Sequence, residues 1–103
     1  MDHHDLLSGF VRLHVLHHAA EGEIYGQWMI EELARHGYKL SPGTLYPMLH
    51  AMEKTGYLVS REDQGGPGGR RRRCYGITAY GREALTVARQ RLRELVGEVG
   101  SNR

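Results

Sequence analysis

The stretch Leu40-Ser41-Pro42-Gly43-Thr44-Leu45 leaves the local chain little choice. Serine at an N-cap accepts from the first free amides of a helix. Proline just after it suits the first helical position, where no amide bond is lost. Leu40 and Leu45 then take the two positions of a hydrophobic staple, which sets the angle at which the chain enters the helix. Leu45, Leu49 and Met52 recur at i, i+4 and i+7 as an inward stripe, and Thr44, Tyr46, Pro47, His50 and Lys54 fall toward the other side. Gly56 is the expected stop. Pro47 is sixth in this helix, where interior bonds are only starting, and it predicts a slight irregularity without a break.

The rest of the chain arranges itself around that helix. Residues 5–20 predict a first helix with Asp5 as N-cap, Leu6, Phe10, Leu13 and Leu16 along its stripe, and Gly22 as its end. Leu7, Val11 and Val15 widen the stripe so far that burial from more than one side is implied. A second helix fits 25–36, with Trp28, Met29, Ile30, Leu33 and Ala34 on one side and Gly37 after it. Beyond Gly56, Tyr57 to Glu62 is rich in strand formers, Gln64 to Gly69 holds no regular structure, and Arg71 to Ile77 alternates as a strand. Thr78 caps a last helix whose apolar residues Leu85, Ala88, Leu92, Leu95 and Val99 follow a narrow 4-3-4 seam, the pattern of one long helix packing on another.

Charge is distributed unevenly along the chain. Residues 64–93 carry eight arginines, no lysine and one glutamate, while residues 1–63 carry five basic and nine acidic side chains. Arginine donates in pairs from a planar fork, so a polyanionic partner is the first hypothesis, against a merely solvated surface. The order helix, helix, short turn Gly37-Tyr38-Lys39-Leu40, helix, hairpin is that of a winged helix-turn-helix: mainly α with a small β-hairpin. It divides into a DNA-binding unit over 1–78 and a dimerisation helix over 79–103, both in one compact body. In this architecture the helix that starts at Ser41 enters the major groove by its N-terminal residues, here Ser41, Gly43, Thr44 and Tyr46, with His50 a turn further along. Arg70, Arg71, Arg72 and Arg73 adjoin the glycine-rich tip and suit a narrow, electronegative minor groove.

The segment from Leu40 through Gly43-Thr44-Leu45-Tyr46-Pro47 to Tyr57-Leu58 resembles the signature of PadR-type transcriptional regulators. Tyr25-Gly26 at the start of the second helix and Arg72 to Gly81 around the last strand resemble the same family, so the likeness spans roughly 6–97. It implies a homodimeric winged-helix repressor on a pseudo-palindromic DNA operator, often released by a small ligand. The short last helix resembles the short-tailed branch of the family. Members of that branch that bind flat aromatic drugs carry a tryptophan on the last helix, and residues 79–99 here contain none.

The remaining expectations concern partners. Leu6, Phe10, Leu85, Ala88, Leu92, Leu95 and Val99 are assigned to a dimer interface, because a chain of 103 residues makes only a small core. An effector has two candidate places: an apolar pocket at that interface with Phe10, Leu92 and Trp28, or a metal held by His14 and His18 with His3 or His4. The interface pocket is preferred, since a dimer seam is already concave and apolar and paired histidines on a helix are often just exposed polar groups. For Trp28 the competing reading is plain core. Cys74 reads better as a small strand residue than as an oxidant sensor, and as the only cysteine it rules out a disulfide framework. There is no phosphate-cradling loop, no nucleophile triad and no paired carboxylates, so an enzyme is excluded and no cofactor is expected. No apolar run exceeds three residues and the start lacks an apolar leader, so a cytoplasmic protein is expected. The competing reading of the whole chain is a winged-helix interaction module that has lost DNA binding.

Overall fold

A computed structural model describes residues 3–100. The elements run α1 (His4–Glu21), β1 (Ile24–Tyr25), α2 (Gly26–Arg35), α3 (Pro42–Thr55), β2 (Leu58–Asp63), β3 (Arg72–Ile77) and α4 (Ala79–Gly100). The sheet has the order β1-β3-β2 and is antiparallel throughout, with Ile24 opposite Tyr75 and Leu58 opposite Ile77. This is the expected winged helix-turn-helix with one strand more than the hairpin that alternation suggests. Two residues are too short for a period-two signal, so β1 leaves no mark in the sequence.

The core is a single cluster. Val11, Val15, Leu16 and Ala19 of α1, Met29 and Leu33 of α2, Leu45, Met48, Leu49 and Met52 of α3, Leu58, Tyr75 and Leu85 pack together. The inward stripe of α3 is the expected one with Met48 added. On α2 the buried side chains are Met29 and Leu33, about one turn apart, whereas Trp28 and Ala34 face outward. Strict alternation fails in β3, where Cys74 and Tyr75 are both buried. Cys74 and Tyr75 point to opposite faces of β3, so only the middle of this central strand is covered on both sides, while Arg73 beside them is exposed.

The ends of the helices follow local chemistry, with two differences from expectation. Helix α1 starts one residue early: His3 is its N-cap at φ 60°, and Asp5 lies inside the first turn, where its carboxylate accepts from the Leu6 amide at 3.0 Å. An acid in the first turn suits the positive helix end whether or not it caps. Thr78 caps α4 as expected, its hydroxyl accepting from the Gly81 amide at 2.9 Å. Gly56 ends α3 at φ 101°, a left-handed conformation that favours glycine. Helix α3 runs unbroken through Pro47. The glycine-rich segment is not wholly irregular, for Pro67–Gly69 form one 3-10 turn with Gly68 and Gly69 at positive φ.

Helix α4 leaves the body of the fold. Only Gly81 and Leu85 of its 22 residues are buried. The radius of gyration is 14.8 Å, against about 13 Å for a compact chain of this length. Gly81 is required where α4 departs: a Cβ there would run into the Tyr57 carbonyl and the Ile77 side chain.

Candidate nucleic-acid interface

Ser41 is the N-cap of α3, yet its hydroxyl makes no bond to the helix backbone. It lies 3.4 Å from the Thr44 hydroxyl instead, and both groups stand at the surface end of the helix. The Thr44 and Leu45 amides reach the Ser41 carbonyl, Pro42 has no amide, and so the Gly43 amide is left at the open end. A side chain at Gly43 would meet little but the Ser41 hydroxyl at 3.7 Å, so packing does not demand a glycine; its smallness leaves room for a large group to approach the backbone. This end thus presents two hydroxyls and an uncapped amide within the positive field of the helix dipole.

Tyr46 follows on the same outward side, 41% exposed. Its ring lies directly against Gly26, and a Cβ at that position would clash with the hydroxyl edge of the ring. Gly26 thereby leaves the space that the Tyr46 ring fills. His50 lies exposed a turn further along the same helix.

The wing folds back toward this end. Tyr46, Trp28, Arg70, Arg71, Arg72 and Arg73 line one cleft of about 520 Å³ between α3, the start of α2 and the wing. The four arginines differ, although the sequence treats them alike. Arg72 lies over the Tyr25 ring at 3.6 Å from its centroid, and its Nε is 3.5 Å from Asp63. The Tyr25 hydroxyl donates to the same carboxylate at 2.8 Å. That bond, then the backbone amide of Gly65, holds the Asp63 carboxyl below its ordinary range, and the phenol of Tyr25 is pushed up by the same bond. Arg73 donates to the Ser60 hydroxyl at 3.0 Å and lies 3.8 Å from Glu62, and Arg71 is 3.5 Å from Glu62. Arg70 enters no ion pair among the described residues. Exposed pairs such as Arg71–Glu62 are weak and exchange readily with a phosphate, whereas Arg72 is tied into the wing by its stacking and its partner.

Sequence reasoning missed the residues that brace the wing. Tyr25 and Asp63 pair across 38 positions, and Glu23 grips Arg61 with two bonds of 2.7 and 2.8 Å. Glu53 takes the Ser60 hydroxyl at 2.8 Å and so ties α3 to β2. Each link joins elements apart in the chain, and no local pattern announces it. Cys74 is fully buried, and burial, then the Glu23 carboxylate, push its thiol up, away from the thiolate an oxidant sensor needs.

The residues assigned to an interface divide. Leu6, Leu95 and Val99 are 72%, 43% and 60% exposed and form an apolar face with Phe10. Leu85 belongs to the chain's own core, because it lies on the first turns of α4, where the helix still touches the body. Phe10 and Leu92 line an open pocket of about 250 Å³ between α1 and α4, with Leu13, His14, His17 and Arg89. A second groove of about 280 Å³ continues from it along Leu6, Ala88, Leu92 and Leu95. Trp28 is not part of either. It packs edge-on against His18, 5.3 Å away, and faces the wing cleft, because position 28 lies outside the buried stripe of α2. An effector pocket that joins Phe10, Leu92 and Trp28 therefore does not exist within one chain. His14 and His18 face α2 together, but their neighbour is His36, not His3 or His4. Burial, then His36 and His18, hold the His14 imidazole below its ordinary range.

Among the described residues no helix is long and apolar enough to cross a membrane. The profile of the transcriptional regulator PadR-like family matches residues 15–87. The chain is 56% identical over 89 residues to transcriptional regulator Rv3488 of Mycobacterium tuberculosis, covering 86% of this chain and 81% of that one. It also superposes on a PadR family transcriptional regulator from Eggerthella lenta, with TM-score 0.79 and 30% identity over 93% of this chain and 83% of the other. A Streptococcus transcriptional regulator gives TM-score 0.82 and 27% identity over 92% and 93% of the two chains.

Proposed function

The chain belongs to the PadR-like family of transcriptional regulators, and on that premise we propose that it is a homodimeric repressor that binds a pseudo-palindromic DNA operator and is released by a small apolar effector. The observation that carries the DNA-binding part is the shared cleft: Tyr46 of α3 lines the same opening as Arg70 to Arg73 of the wing. A duplex that receives the Ser41 end of α3 in its major groove meets the wing arginines on the adjacent backbone or minor groove. Ser41, Gly43 and Thr44 hold phosphates or base edges, Tyr46 and His50 extend the contact along the groove, and Arg70 and Arg71 supply most of the electrostatic attraction. Arg72 and Arg73 keep the wing in place.

The second half of the reading follows from the exposed apolar face. Leu6, Phe10, Leu95 and Val99 are left exposed with Leu92 half-buried among them, and a second copy covers them by two-fold pairing of α1 and α4. Such a dimer sets two α3 helices about one DNA turn apart, roughly 34 Å. Residues 1–78 then act as the DNA-binding unit and residues 79–103 as the dimerisation helix. An apolar compound lodged in the pocket between Phe10 and Leu92 binds one dimer geometry better than another and so shifts the spacing of the two α3 helices.

The test is a fluorescence-anisotropy titration of the DNA upstream of the chain's own gene, with a scrambled duplex beside it. Preferential binding, with a stoichiometry of two chains per site, is expected. Equal, weak binding to both duplexes overturns the reading in favour of an interaction module that only pairs through its helices.

A further inference from the structure

His14 and His18 lie one turn apart on α1, and His36 closes the C-terminal end of α2 opposite them. The ring nitrogens of these three residues that face one another all lie within 4.8 Å. The His14 and His36 rings are 4.8 Å apart, centroid to centroid. Glu32, one turn before His36, directs the same carboxylate oxygen to His36 Nε2 at 3.1 Å and to His18 Nε2 at 3.5 Å. The side chains of His18 and Glu32 are only 14% and 13% exposed. Trp28 packs edge-on against His18 and Tyr38 against His14, so aromatic rings wall two sides of the cluster.

Three imidazoles and one carboxylate converging from two helices are the donor set of a four-coordinate transition-metal site. We propose that His14, His18, His36 and Glu32 bind one divalent ion of the zinc class. At metal–nitrogen distances of about 2.0–2.1 Å, tetrahedral donors stand ~3.4 Å apart, so the nitrogens need to draw in by about an ångström, which imidazole rotation supplies. Nitrogen donors select zinc, cobalt or nickel over magnesium and calcium, and the lack of any thiolate disfavours copper(I). His36 immediately precedes Gly37, which turns the chain at φ 91° toward α3. An ion here joins α1, which carries the apolar face, to the last turn before the recognition helix. The site does not depend on DNA binding, and it is measured with no DNA present.

The experiment uses the untagged full chain, stripped with a chelator and titrated with Zn²⁺ by calorimetry and with Co²⁺ by visible absorption. One ion per chain at micromolar concentration, and the intense visible bands of tetrahedral Co²⁺, are expected. His36→Ala and Glu32→Gln each weaken Zn²⁺ binding by about tenfold or more, with helical circular dichroism unchanged, while His17→Ala keeps the ion. No Zn²⁺ uptake at about 100 µM overturns the proposal; micromolar zinc sites are far tighter than this. Uptake that survives His36→Ala also overturns it, for the ion then sits on His17, His18 and Glu21, the other cluster within ligand distance, or on the N-terminal histidines. Should a variant lose helicity, the weak spectrum of octahedral Co²⁺ in the wild-type protein serves as the overturning result.

Discussion

The wing and the α1–α4 face are both exposed, but the groups they expose are in opposite states. On the wing, three of four neighbouring arginines already have a carboxylate within 4 Å, and one is stacked on a tyrosine. On the α1–α4 face, Leu6, Phe10, Leu95 and Val99 turn much of their surface to water. The wing therefore keeps its shape without a partner, and in the proposed function its weak ion pairs exchange for phosphates of DNA. The apolar face has no such exchange available. It is covered only by other apolar surface, so on the proposed reading the second copy is a condition of folding, where DNA is an optional ligand.

The sharpest way to break that comparison is Leu92→Asp. Leu92 lies in the lining of both α1–α4 grooves, and a carboxylate there replaces its apolar contacts with a charged group that must give up water once the face is covered, with Arg89 and Arg91 only at the rims. Loss of about 2–5 kcal/mol is expected, the scale of truncating a large apolar side chain in a covered site. Sedimentation and circular dichroism report it together: the variant is monomeric and largely unfolded. A folded wild-type monomer at micromolar concentration shows instead that the apolar face needs no partner.

A smaller effect separates the two halves of α4. Gly81→Ala forces a methyl against the Tyr57 carbonyl and Ile77, and overpacking of this kind destabilises by about 1–3 kcal/mol. At Gly97 nothing lies within 4 Å of an added Cβ. Gly97→Ala is expected to stabilise the helix by about 0.5–1 kcal/mol. Urea midpoints that move in the same direction for both sink the distinction between the anchored and the free end of α4.

On the DNA side, Tyr46→Ala and Thr44→Ala each weaken specific binding by about 1–3 kcal/mol; Thr44→Ala leaves thermal stability little changed, whereas Tyr46→Ala also lowers it by removing the ring that packs on Gly26. Arg70→Ala with Arg71→Ala weakens all sequences alike and reduces the salt slope by about 0.9 for each phosphate no longer neutralised. Arg72→Ala behaves differently. It removes the group stacked on Tyr25, so its effect is read in wing stability more than in the salt slope. Equal slopes for the Arg72 and Arg70 variants erase the division of labour within the wing.

What is legible in the sequence tracks how local its cause is. The α3 start at Ser41-Pro42, its stop at Gly56 and the Thr78 cap are set by neighbours within one turn, and all are readable. The apolar seam of α4 is readable too, because periodicity marks it whether or not other surface covers it. Illegible are β1, which is too short to alternate, and the bracing of Arg72 by Tyr25 and Asp63, which needs three separate elements. His36 and Glu32 belong to the same class: they meet His14 and His18 only after α1 and α2 pack. Trp28 misleads because the run of apolar residues on α2 is wider than the stripe that is buried: only Met29 and Leu33 of that run are buried, and position 28 falls outside it.

The finest test of the wing's internal pairing is its acid titration. Asp63 receives the Tyr25 hydroxyl and faces Arg72, and its folded pKa lies below the ordinary 3.8. A depressed carboxylate pKa contributes stability that is fully present above the unfolded value and is lost as pH falls through the folded one. The thermal midpoints of wild type and Asp63→Asn should therefore differ at neutral pH and converge below the ordinary carboxylate range. Asparagine still accepts from the Tyr25 hydroxyl, so the difference reads the carboxylate's charge, which strengthens its bonds from Tyr25 and Gly65 and attracts Arg72. On the α1–α4 face, Leu95→Ala removes no ionisable group, and it should shift the midpoint by the same amount at every pH. A gap between wild type and Asp63→Asn that stays constant through the acid range shows the carboxylate to be a solvated bystander, with the wing held by the tyrosine–arginine stack alone.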